Sequence, residues 1–403
     1  MIRTVLGDIP GAALGFCHAH DHVLIGESVA TRTNPDLLID DVDAAIAEVS
    51  AFRRAGGGAI VDAMPLDCGR DPVGLVQVSR RTSVHIIAVT GFHTRRYYPP
   101  GHWSETMTAN DLADLMAAEV TDGMDRHSHA GPSVERIEAR AGVVKVATDE
   151  HGITPLAARI MEAAAECHRR TGVPVLTHTE RGLFGPDQVA FLAGQGVPAD
   201  AVLVSHVDRI CDLGYHAELA ATGAYLVYDG PSRLQYHSPA EMARCIAVAV
   251  EHGAAERVLL GMDLALRSYR VSTGGSPGLA FLLRDFLPLL RAEGFADADI
   301  RRFGWHNPAA ALSIRAVARA GPGSNRPPTG CPDSVTRPTS VPVPRTEGCP
   351  GRGQTGRHWA RIGNQRIQLV ADNQGSFGLE YPRRLCGRSA TSQCIPPTTG
   401  RSA

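Results

Sequence analysis

Lysine is almost absent from this chain of 403 residues: of its forty lysine and arginine residues, thirty-nine are arginine and one is lysine. Such a bias replaces ordinary surface lysines with arginine, since both side chains carry the same charge. The lysine that remains, Lys145, lies in the segment AGVVKVATDE. We expect a role there that a guanidinium group does not fill.

Long apolar runs and an excess of charge are also missing. No stretch approaches the roughly eighteen apolar residues of a membrane span, and the amino-terminal segment lacks the features of a signal peptide. The formal charge of −2 and the pI near 6.8 argue against nucleic acid or an anionic membrane as a partner. A cytoplasmic protein that acts on a small molecule is expected.

Paired cysteine motifs are absent as well. The nine cysteines have irregular spacings without a CxxC pair, and Cys167, Cys211 and Cys245 lie inside apolar periodic segments. We interpret them as reduced core residues rather than as disulfide or zinc ligands.

Apolar periodicity stops near residue 320. Residues 321–403 are rich in Pro, Gly, Ser, Thr and Arg, a composition that does not offset the entropy lost on ordering. We predict one domain over residues 1–320 and a disordered tail over 321–403. The arginine excess of the tail also fits an interaction arm, and a reading-frame artefact is a third explanation.

Before residue 320 the chain alternates short β-branched runs with longer helical patterns. The eight runs are GFCHAHDHV, GGAIVDAMP, SVHIIAVTGF, AGVVKVAT, VPVLTHT, AVLVSHVD, AYLVYDG and RVLLGMDLA. Eight strand–helix units predict a (β/α)8 TIM barrel of the α/β class, with catalytic groups at the carboxyl ends of the strands. A doubly wound open sheet is the alternative, although no GxGxxG motif follows the first run.

Polar residues occur late in five of these runs. The first run carries His18, His20 and His22 at a spacing of two, which places all three on one face of a strand. The fourth, fifth, sixth and eighth runs carry Lys145, His178, His206 and Asp263. One buried histidine is more often a hydrogen-bonded core residue than a ligand. Polar side chains that converge from five different strands are hard to explain in that way, because each would need its own buried partner. We therefore predict a site for zinc or a related divalent ion at the mouth of the barrel.

Lysine chemistry explains why arginine is excluded at position 145. A neutral amine adds carbon dioxide to form a carbamate, an anionic ligand whose two oxygens can bridge two metal ions. The guanidinium group of arginine is too weakly nucleophilic for this reaction. The alternative is an ordinary lysine paired with a carboxylate, a role in which arginine would normally serve as well.

Residues 1 to about 318 resemble the phosphotriesterase family of the amidohydrolase superfamily. The matching segments, in the order of the family, are TVLGDI, GFCHAHDHV, AGVVKVAT, TGVPVLTHT, SHVD, GMD and NPAAAL. The first strand of the family reads His-Glu-His, which aligns with His20, Asp21 and His22 and leaves His18 outside the ligand set. Spacing alone does not choose between the pairs 18/20 and 20/22.

The resemblance implies a hydrolytic centre with two divalent metal ions, expected to be zinc. Six residues match the ligand positions of the family: His20, His22, Lys145, His178, His206 and Asp263. The first two histidines and Asp263 would bind the more buried ion, the other two histidines the more exposed one, and carbamylated Lys145 would bridge them together with a hydroxide. Asp263 would take the proton as the hydroxide attacks. Asp21 replaces the usual glutamate and is expected to point away from the metals.

The loops after the seventh and eighth strands resemble a family branch that hydrolyses sugar lactones, including phosphorylated ones. There a basic residue after strand seven, and an arginine with a nearby tyrosine after strand eight, contact the phosphate. Arg233 and Arg267 match in type and place, and Tyr269 matches less cleanly. Tyr98, after the third strand, is the candidate for a tyrosine beside the metals. The alternatives are solvated surface arginines and an aromatic loop that packs on the rim.

These features favour a binuclear metal-dependent lactonase that opens a sugar or acyl lactone, with the arginines predicting anionic substrates. A phosphotriesterase is the second hypothesis, because the same hydroxide can attack phosphorus. A barrel that binds a ligand without catalysis is the third. Barrel enzymes of this kind often form dimers, so a homodimer is left open, although the sequence has no interface signal.

Overall fold

Eight parallel strands form the barrel predicted for the first part of the chain. In this computed structural model they are β1 Phe16–Asp21, β2 Gly57–Asp62, β3 His85–Gly91, β4 Val143–Thr148, β5 Val175–Thr179, β6 Val202–Ser205, β7 Tyr225–Tyr228 and β8 Val258–Leu260. Each pairs with its neighbours in chain order. At the seam between β8 and β1, the carbonyl oxygen of His20 accepts hydrogen bonds from the backbone N–H groups of Met262 and Asp263, both at 3.2 Å. The (β/α)8 prediction is confirmed, and the open-sheet alternative is wrong.

The structure describes residues 1–317 and three later strands, His358–Ile362, Gln365–Ala371 and Phe377–Leu379. The chain divides into two units, Met1–Ser324 and Asn325–Ala403. In the second unit the three strands pair antiparallel in chain order. The rest of the tail lies outside the described residues, so the disorder of 321–403 stays a prediction.

Helices cover the outside of the barrel. The α-helices of the first unit are α1 Val29–Thr33, α2 Val42–Arg54, α3 Pro72–Thr82, α4 Ala109–Thr121, α5 Pro155–Thr171, α6 Gly185–Gly194, α7 Leu213–Ala221, α8 Pro239–Ala249, α9 Leu287–Ala292, α10 Asp297–Arg301 and α11 Asn307–Ala311. Side-chain caps fix several starts, such as Thr154 before α5 and the Ser238–Glu241 capping box of α8. No helix of the described residues is long and apolar enough to cross a membrane.

The strands are buried on both faces, which explains why they read as continuous apolar runs. Val143, Leu176 and Leu203 belong to a cluster inside the barrel, while the residue after Val143, Val144, belongs to the cluster that packs against the helices. At the amino-terminal end, the hairpin of Ile2–Thr4 and Gly7–Ile9 inserts Ile2 into the inner cluster. The carboxyl ends of the strands are therefore the open mouth.

A buried ion pair joins the segment between β2 and α3 to helix α4. Arg70 donates to both carboxylate oxygens of Glu119 at 2.7 and 2.8 Å, and neither side chain is exposed. The backbone N–H of Asp125 also donates to Glu119, at 3.1 Å. Burial raises the pKa of Glu119, but the charge and hydrogen bonds of Arg70 outweigh it and leave the pKa lowered to about 2. The pair is therefore ionised in the folded protein at neutral pH.

The cysteines of the described residues divide into two kinds. Cys17, Cys68, Cys167 and Cys245 are buried, as the sequence predicts for core residues, whereas Cys211 is exposed. The interpretation of Cys211 as a core residue is therefore wrong. It lies in the short segment between β6 and α7, just before the helix begins at Leu213, where apolar periodicity does not report burial.

Candidate metal centre

A cavity of about 300 Å³ opens at the carboxyl ends of the strands. Six side chains that the sequence singled out as ligands line it together: His20, His22, Lys145, His178, His206 and Asp263. Each of them is at most 7% exposed. Strands that are far apart in the chain thus bring four imidazoles, an amine and a carboxylate to one place.

A β-bulge in β1 decides which histidines face the cavity. His18 pairs with Ile60 and Asp21 with Asp62, so three steps along β1 oppose two along β2. His18 consequently lies on the helix side, with its ring centroid 4.5 Å from that of Phe52 and its Nδ1 2.9 Å from Asp21 Oδ2. The expectation that all three histidines share one face is wrong, because strict alternation does not continue through a bulge. Asp21 points away from the cavity, as expected.

His20, His22 and Asp263 form the first group of possible ligands. Asp263 Oδ1 lies 3.3 Å from His22 Nε2 and 3.7 Å from His20 Nε2, and one ligand atom of each residue lies within 4.8 Å of the others. Asp263 has a φ of 47°, in the left-handed region that residues other than glycine rarely adopt. This backbone conformation turns the carboxylate towards the two histidines.

His178 and His206 form the second group. His206 Nε2 lies 2.8 Å from His178 Nδ1, so the two nitrogens face each other. His206 also adopts a left-handed conformation, with a φ of 64°. The side-chain amide of Gln188 donates to the backbone carbonyl oxygen of His178 at 2.9 Å and so holds that strand end in place. Burial lowers the pKa of His178 to about 4, so its imidazole is neutral, as metal ligation requires.

Asp229, directly after β7, orients two of these histidines. Its Oδ1 lies 2.9 Å from His206 Nδ1 and its Oδ2 lies 3.3 Å from His20 Nδ1, which also lies 2.8 Å from Ser205 Oγ. Hydrogen bonds at Nδ1 leave Nε2 as the free nitrogen in the neutral ring. His20 Nε2 is buried without a hydrogen-bond partner among the described residues. A metal ion would provide the partner that this nitrogen lacks.

Lys145 lines the cavity. Its side chain is almost entirely buried, and Nζ donates to the carbonyl oxygen of Ala63 at 2.8 Å. Burial lowers the pKa of Lys145 to about 8, although Asp263 and other nearby acids act in the opposite direction. A larger fraction of the amine is therefore neutral near pH 7 than for a lysine on the surface.

Two arginines contact the carboxylate of Asp263 from the cavity side. Arg209 Nη2 donates to Asp263 Oδ2 at 2.8 Å, and Arg233 Nη2 donates to the same oxygen at 2.7 Å. Burial alone raises the pKa of Asp263, but Arg233 and His206 hold it well below its usual value. The carboxylate is therefore anionic, as metal binding requires.

The donor set fits divalent metal ions. Two groups of three residues place one ligand atom each within 4.8 Å of the others, namely His20, His22 and Asp263, and His20, His206 and Asp229. Imidazole nitrogens and carboxylate oxygens are ligands of zinc and related ions. Metal binding also requires a neutral imidazole with a free ring nitrogen. His20 meets this requirement, because burial lowers its pKa and its Nε2 has no hydrogen-bond partner among the described residues.

Some of the residues predicted to bind substrate line the cavity in the structure, and others do not. Arg233 and Tyr269 line the cavity, and the Arg233 guanidinium lies 5.6 Å from the centre of the Tyr269 ring. Arg267 is exposed and outside this cavity, and its neighbour Leu266 lines it instead. The structure therefore brings two of these three residues to the site.

Tyr98 does not reach the cavity. It is only 4% exposed, and its hydroxyl donates to the carbonyl oxygen of Leu66 at 3.1 Å and accepts from the backbone N–H of His93 at 2.9 Å. The preceding residue, Tyr97, lines the cavity. The short 3₁₀ turn Arg95–Tyr97 decides which of the adjacent tyrosines faces inward, and the sequence does not reveal that turn.

Several residues of the site, some lining the cavity and one orienting its histidines, were not predicted. Asp229 comes directly after an apolar run, so the position rule that found Lys145 could have found it. Arg209 follows the segment SHVD by one residue, and Glu180 follows His178 by two. Glu180 contacts His178 Nε2 at 3.3 Å and pairs with Arg96 at 2.5 Å across two loops. No motif distinguishes these charges from the many solvated ones in the chain.

The lining of the cavity is both basic and apolar. Arg96, Arg209 and Arg233 line it together with Ile25, Leu37 and Leu266. A ligand that combines a negative charge with a small apolar surface would match this lining.

The comparisons with known proteins agree with this geometry. A model of the phosphotriesterase family matches residues 1–312. The chain is 32% identical over 322 residues to a phospho-furanose lactonase from Mycoplasmopsis synoviae, which covers 77% of this chain and 91% of the relative. The crystal structure of an amidohydrolase from Mycoplasma synoviae has a TM-score of 0.77 at 30% identity, over 79% of this chain and 93% of that one. A lactonase structure from Listeria monocytogenes has a TM-score of 0.73 at 28% identity, over 78% and 99%.

Proposed function

The chain belongs to the phosphotriesterase family, and from this premise we propose that it is a metal-dependent hydrolase of the lactonase type, acting on a lactone with an anionic substituent. The observation that carries the proposal is the convergence of the six ligand-type side chains on one cavity. Similarity to proteins named as lactonases supports the same reaction class.

Two divalent ions, zinc in this proposal, would supply a nucleophilic water at neutral pH and would polarise the carbonyl group of the lactone. His20, His22 and Asp263 would hold one ion, and His178 and His206 the other. Asp229 and Ser205 keep the Nδ1 atoms of His20 and His206 engaged, so that Nε2 is presented to the metal.

Lys145 would serve as the ligand shared by the two ions. The neutral amine attacks the carbon of carbon dioxide, an N–C bond forms and one proton is released, which leaves an anionic carbamate. Burial, which lowers the pKa of the amine to about 8, favours the neutral form that this step needs.

Asp263 would move the proton of the attacking water. Its Oδ1 faces His20 and His22, while Oδ2 faces Arg209 and Arg233. A proton accepted at Oδ2 can pass to the alkoxide released when the C–O bond of the ring breaks, which yields a hydroxy acid. The two arginines favour the anionic carboxylate again after that transfer.

The basic part of the cavity supports an anionic substrate, for which a phosphorylated sugar lactone is the simplest example. Arg233 belongs to the loop that the sequence pointed to, and Arg209 takes the place of the second arginine predicted at position 267. A charge-assisted hydrogen bond to phosphate contributes about 1.5–3 kcal/mol. Loss of one such contact should therefore lower kcat/KM about 10- to 100-fold.

The test compares three substrates on protein reconstituted with zinc and bicarbonate: a phosphorylated sugar lactone, the same lactone without phosphate, and a neutral aryl phosphotriester. The phosphorylated lactone should give the highest kcat/KM. Arg233→Gln should lower kcat/KM for both lactones, because the contact of Arg233 with Asp263 is lost, and it should lower the value for the phosphorylated lactone further, so that the preference disappears. Arg267→Gln is the matched control, since Arg267 is exposed and outside the cavity, and it should leave all three rates nearly unchanged.

Other outcomes would replace the proposal. Faster hydrolysis of the phosphotriester would favour a phosphotriesterase. Absence of hydrolysis with two metal ions bound per chain would favour a barrel that only binds its ligand. An equal effect of Arg233→Gln on both lactones would remove the role of Arg233 in anion recognition.

A further inference from the structure

One buried carboxylate holds both ends of the loop between β7 and α8. Asp208, in the short turn after β6, is fully buried, and its Oδ1 accepts a hydrogen bond from the backbone N–H of Asp229 at 2.9 Å. Its Oδ2 lies 2.8 Å from Nε2 of His237. Asp229 begins the loop of residues 229–237, and His237 ends it just before Ser238, the cap residue of α8. The two oxygens of a single side chain therefore tie the two ends of this loop together.

Both ring nitrogens of His237 face acceptors. Nε2 lies 2.8 Å from the carboxylate of Asp208, and Nδ1 lies 3.1 Å from the carbonyl oxygen of Ser238. An imidazole that donates from both nitrogens is protonated, so the contact with Asp208 is a charged pair, and both side chains in it are at most 1% exposed. Burial lowers the pKa of His237, but the hydrogen bond and the charge of Asp208 outweigh it and leave the pKa raised. Such a pair holds its members together because either charge, left alone in the interior, would be costly.

The loop presents cavity residues from an exposed stretch of backbone. Arg233 and Tyr236 line the cavity. Residues 234–236 are exposed, and Leu234 is 71% exposed, so packing contributes little to holding this stretch. The guanidinium group of Arg233 nevertheless reaches Asp263 Oδ2 at 2.7 Å. The position of Arg233 therefore depends on how the ends of the loop are fixed.

Few hydrogen bonds join this loop to the rest of the barrel. In the part of the chain that the structure describes, only the side chains of Arg233 and His237 form hydrogen bonds from residues 230–237 to residues that follow other strands, namely Asp263 and Asp208. The backbone hydrogen bonds of this stretch are turns within the loop itself. The contact of His237 with Asp208 is therefore the anchor that fixes the carboxyl end of the loop.

The close approach of the loop to Asp208 depends on Gly230. A Cβ atom at this position would lie 2.4 Å from Asp208 Oδ2, the oxygen that faces His237. Real Cβ atoms essentially never come within 3.0 Å of another heavy atom, so a larger residue would displace the carboxylate. Glycine thus permits a contact on which both ends of the loop depend.

We propose that His237 is a positioning residue for substrate specificity: through Asp208 it fixes the loop of residues 229–237, so that Arg233 faces the anionic substituent of the lactone. The effect on specificity rests on the proposed function, whereas the anchoring of the loop does not. Neither His237 nor Asp208 lines the cavity, so both act through the arginine. Loss of the His237 side chain frees one end of the loop, and Arg233 is then no longer held at the site.

The test measures the preference of the zinc-loaded full chain, defined as kcat/KM for a phosphorylated sugar lactone divided by kcat/KM for the same lactone without phosphate. His237→Leu should lower this preference about 10-fold, the lower end of the range expected for loss of the Arg233 contact. His237→Gln should keep most of it, because an amide nitrogen can donate to Asp208 in place of Nε2. A preference that survives in His237→Leu, or that falls as far in His237→Gln, would overturn the proposal.

A matched control and a double variant separate positioning from a general loss of stability. His168 is also buried, at 6% exposure, but it lies in the last turn of α5 and hydrogen-bonds the carbonyl oxygen of Val173, so His168→Leu should keep the preference. Arg233→Gln should abolish the preference by itself, and the addition of His237→Leu should then lower it no further. A further fall in the double variant, or an equal fall in His168→Leu, would overturn the route through Arg233.

A second variant covers the case in which His237→Leu does not fold. Gly230→Ala disturbs the contact between Asp208 and His237 while both side chains remain, and it should also lower the preference for the phosphorylated lactone. An unchanged preference in this variant would overturn the proposal.

Amide hydrogen exchange tests the anchor without any substrate. The backbone N–H groups of Arg233 and Tyr236, which are hydrogen-bonded within the loop, should exchange faster in metal-free His237→Leu or Gly230→Ala than in the parent, and at the parent rate in His168→Leu. Equal rates in all four proteins would overturn the anchoring of the loop. A parent that hydrolyses no lactone would refute the proposed function, while the exchange rates would still decide whether His237 anchors the loop.

Discussion

Replacing Lys145 with methionine should separate the cost of burying an amine from its use in metal binding. In the metal-free protein the side chain is 1% exposed, and burial lowers its pKa from 10.5 to about 8. The folded state therefore binds this proton less tightly than the unfolded state does. Methionine is of similar length and carries no charge, so it removes that cost without a large change in volume.

The pKa gives the magnitude and the pH range. One pKa unit corresponds to about 1.4 kcal/mol, so the shift from 10.5 to about 8 lowers the stability of the metal-free fold by about 3 kcal/mol at pH 7. Because the folded-state pKa is the lower one, this loss is fully present below pH 8 and disappears as the pH rises towards 10.5. Metal-free Lys145→Met protein should therefore be more stable than the parent at pH 7, by up to about 3 kcal/mol, and the difference should shrink at pH 10.

Two measurements check this prediction. Urea unfolding of the metal-free proteins at pH 7 and pH 10 gives the free energies, with Lys145→Arg as a control that keeps a charge and should show no gain. Elemental analysis after incubation with zinc and bicarbonate should find two ions per chain in the parent and fewer in Lys145→Met. A less stable metal-free variant, or one that still binds two ions, would refute the reasoning about Lys145.

Two further changes test other groups. Glu119→Gln leaves Arg70 as an unpaired buried charge, so urea unfolding should find a loss of about 3–5 kcal/mol, whereas Asp43→Asn, in an exposed pair with Arg81, should change little. The folded-state pKa of Glu119 is about 2, below its usual 4.5, so its contribution to the free energy of unfolding is present above pH 4.5 and is lost as the pH falls towards 2. The stability of Glu119→Gln should therefore change less between pH 4.5 and pH 2 than that of the parent. An unchanged pH dependence would contradict this reasoning. Asp229→Asn should weaken zinc affinity about 10- to 100-fold in a chelator competition, because His20 and His206 lose their orienting carboxylate; unchanged affinity would remove that role.

The sequence predicted the barrel and the convergence of the candidate ligand side chains because both depend on regular features. Buried parallel strands give continuous apolar runs, and catalytic groups follow their carboxyl ends, so Lys145, His178 and Asp263 could be located from position alone. The choice between His18 and His22 could not be made in this way, since the bulge in β1 interrupts alternation. The family resemblance made that choice.

The loop residues were harder to place because loops lack a period. Adjacent positions exchange roles at two places: Tyr97 rather than Tyr98 lines the cavity, and Leu266 rather than Arg267 does so. One residue of difference in a short turn reverses the direction of a side chain. The left-handed backbone of His206, with a φ of 64°, is equally invisible in the sequence, because its cause is the folded site itself.

The seam of the barrel has a consequence for how the protein is made. His20 and Asp263 come from the first and last strands, and the carbonyl oxygen of His20 accepts the hydrogen bonds that close the barrel. A chain emerging from the ribosome can therefore not complete this site until nearly the whole barrel has been synthesised. Closure of the barrel brings His20 and Asp263 together, so a metal ion bound by both would stabilise only chains whose barrel has closed.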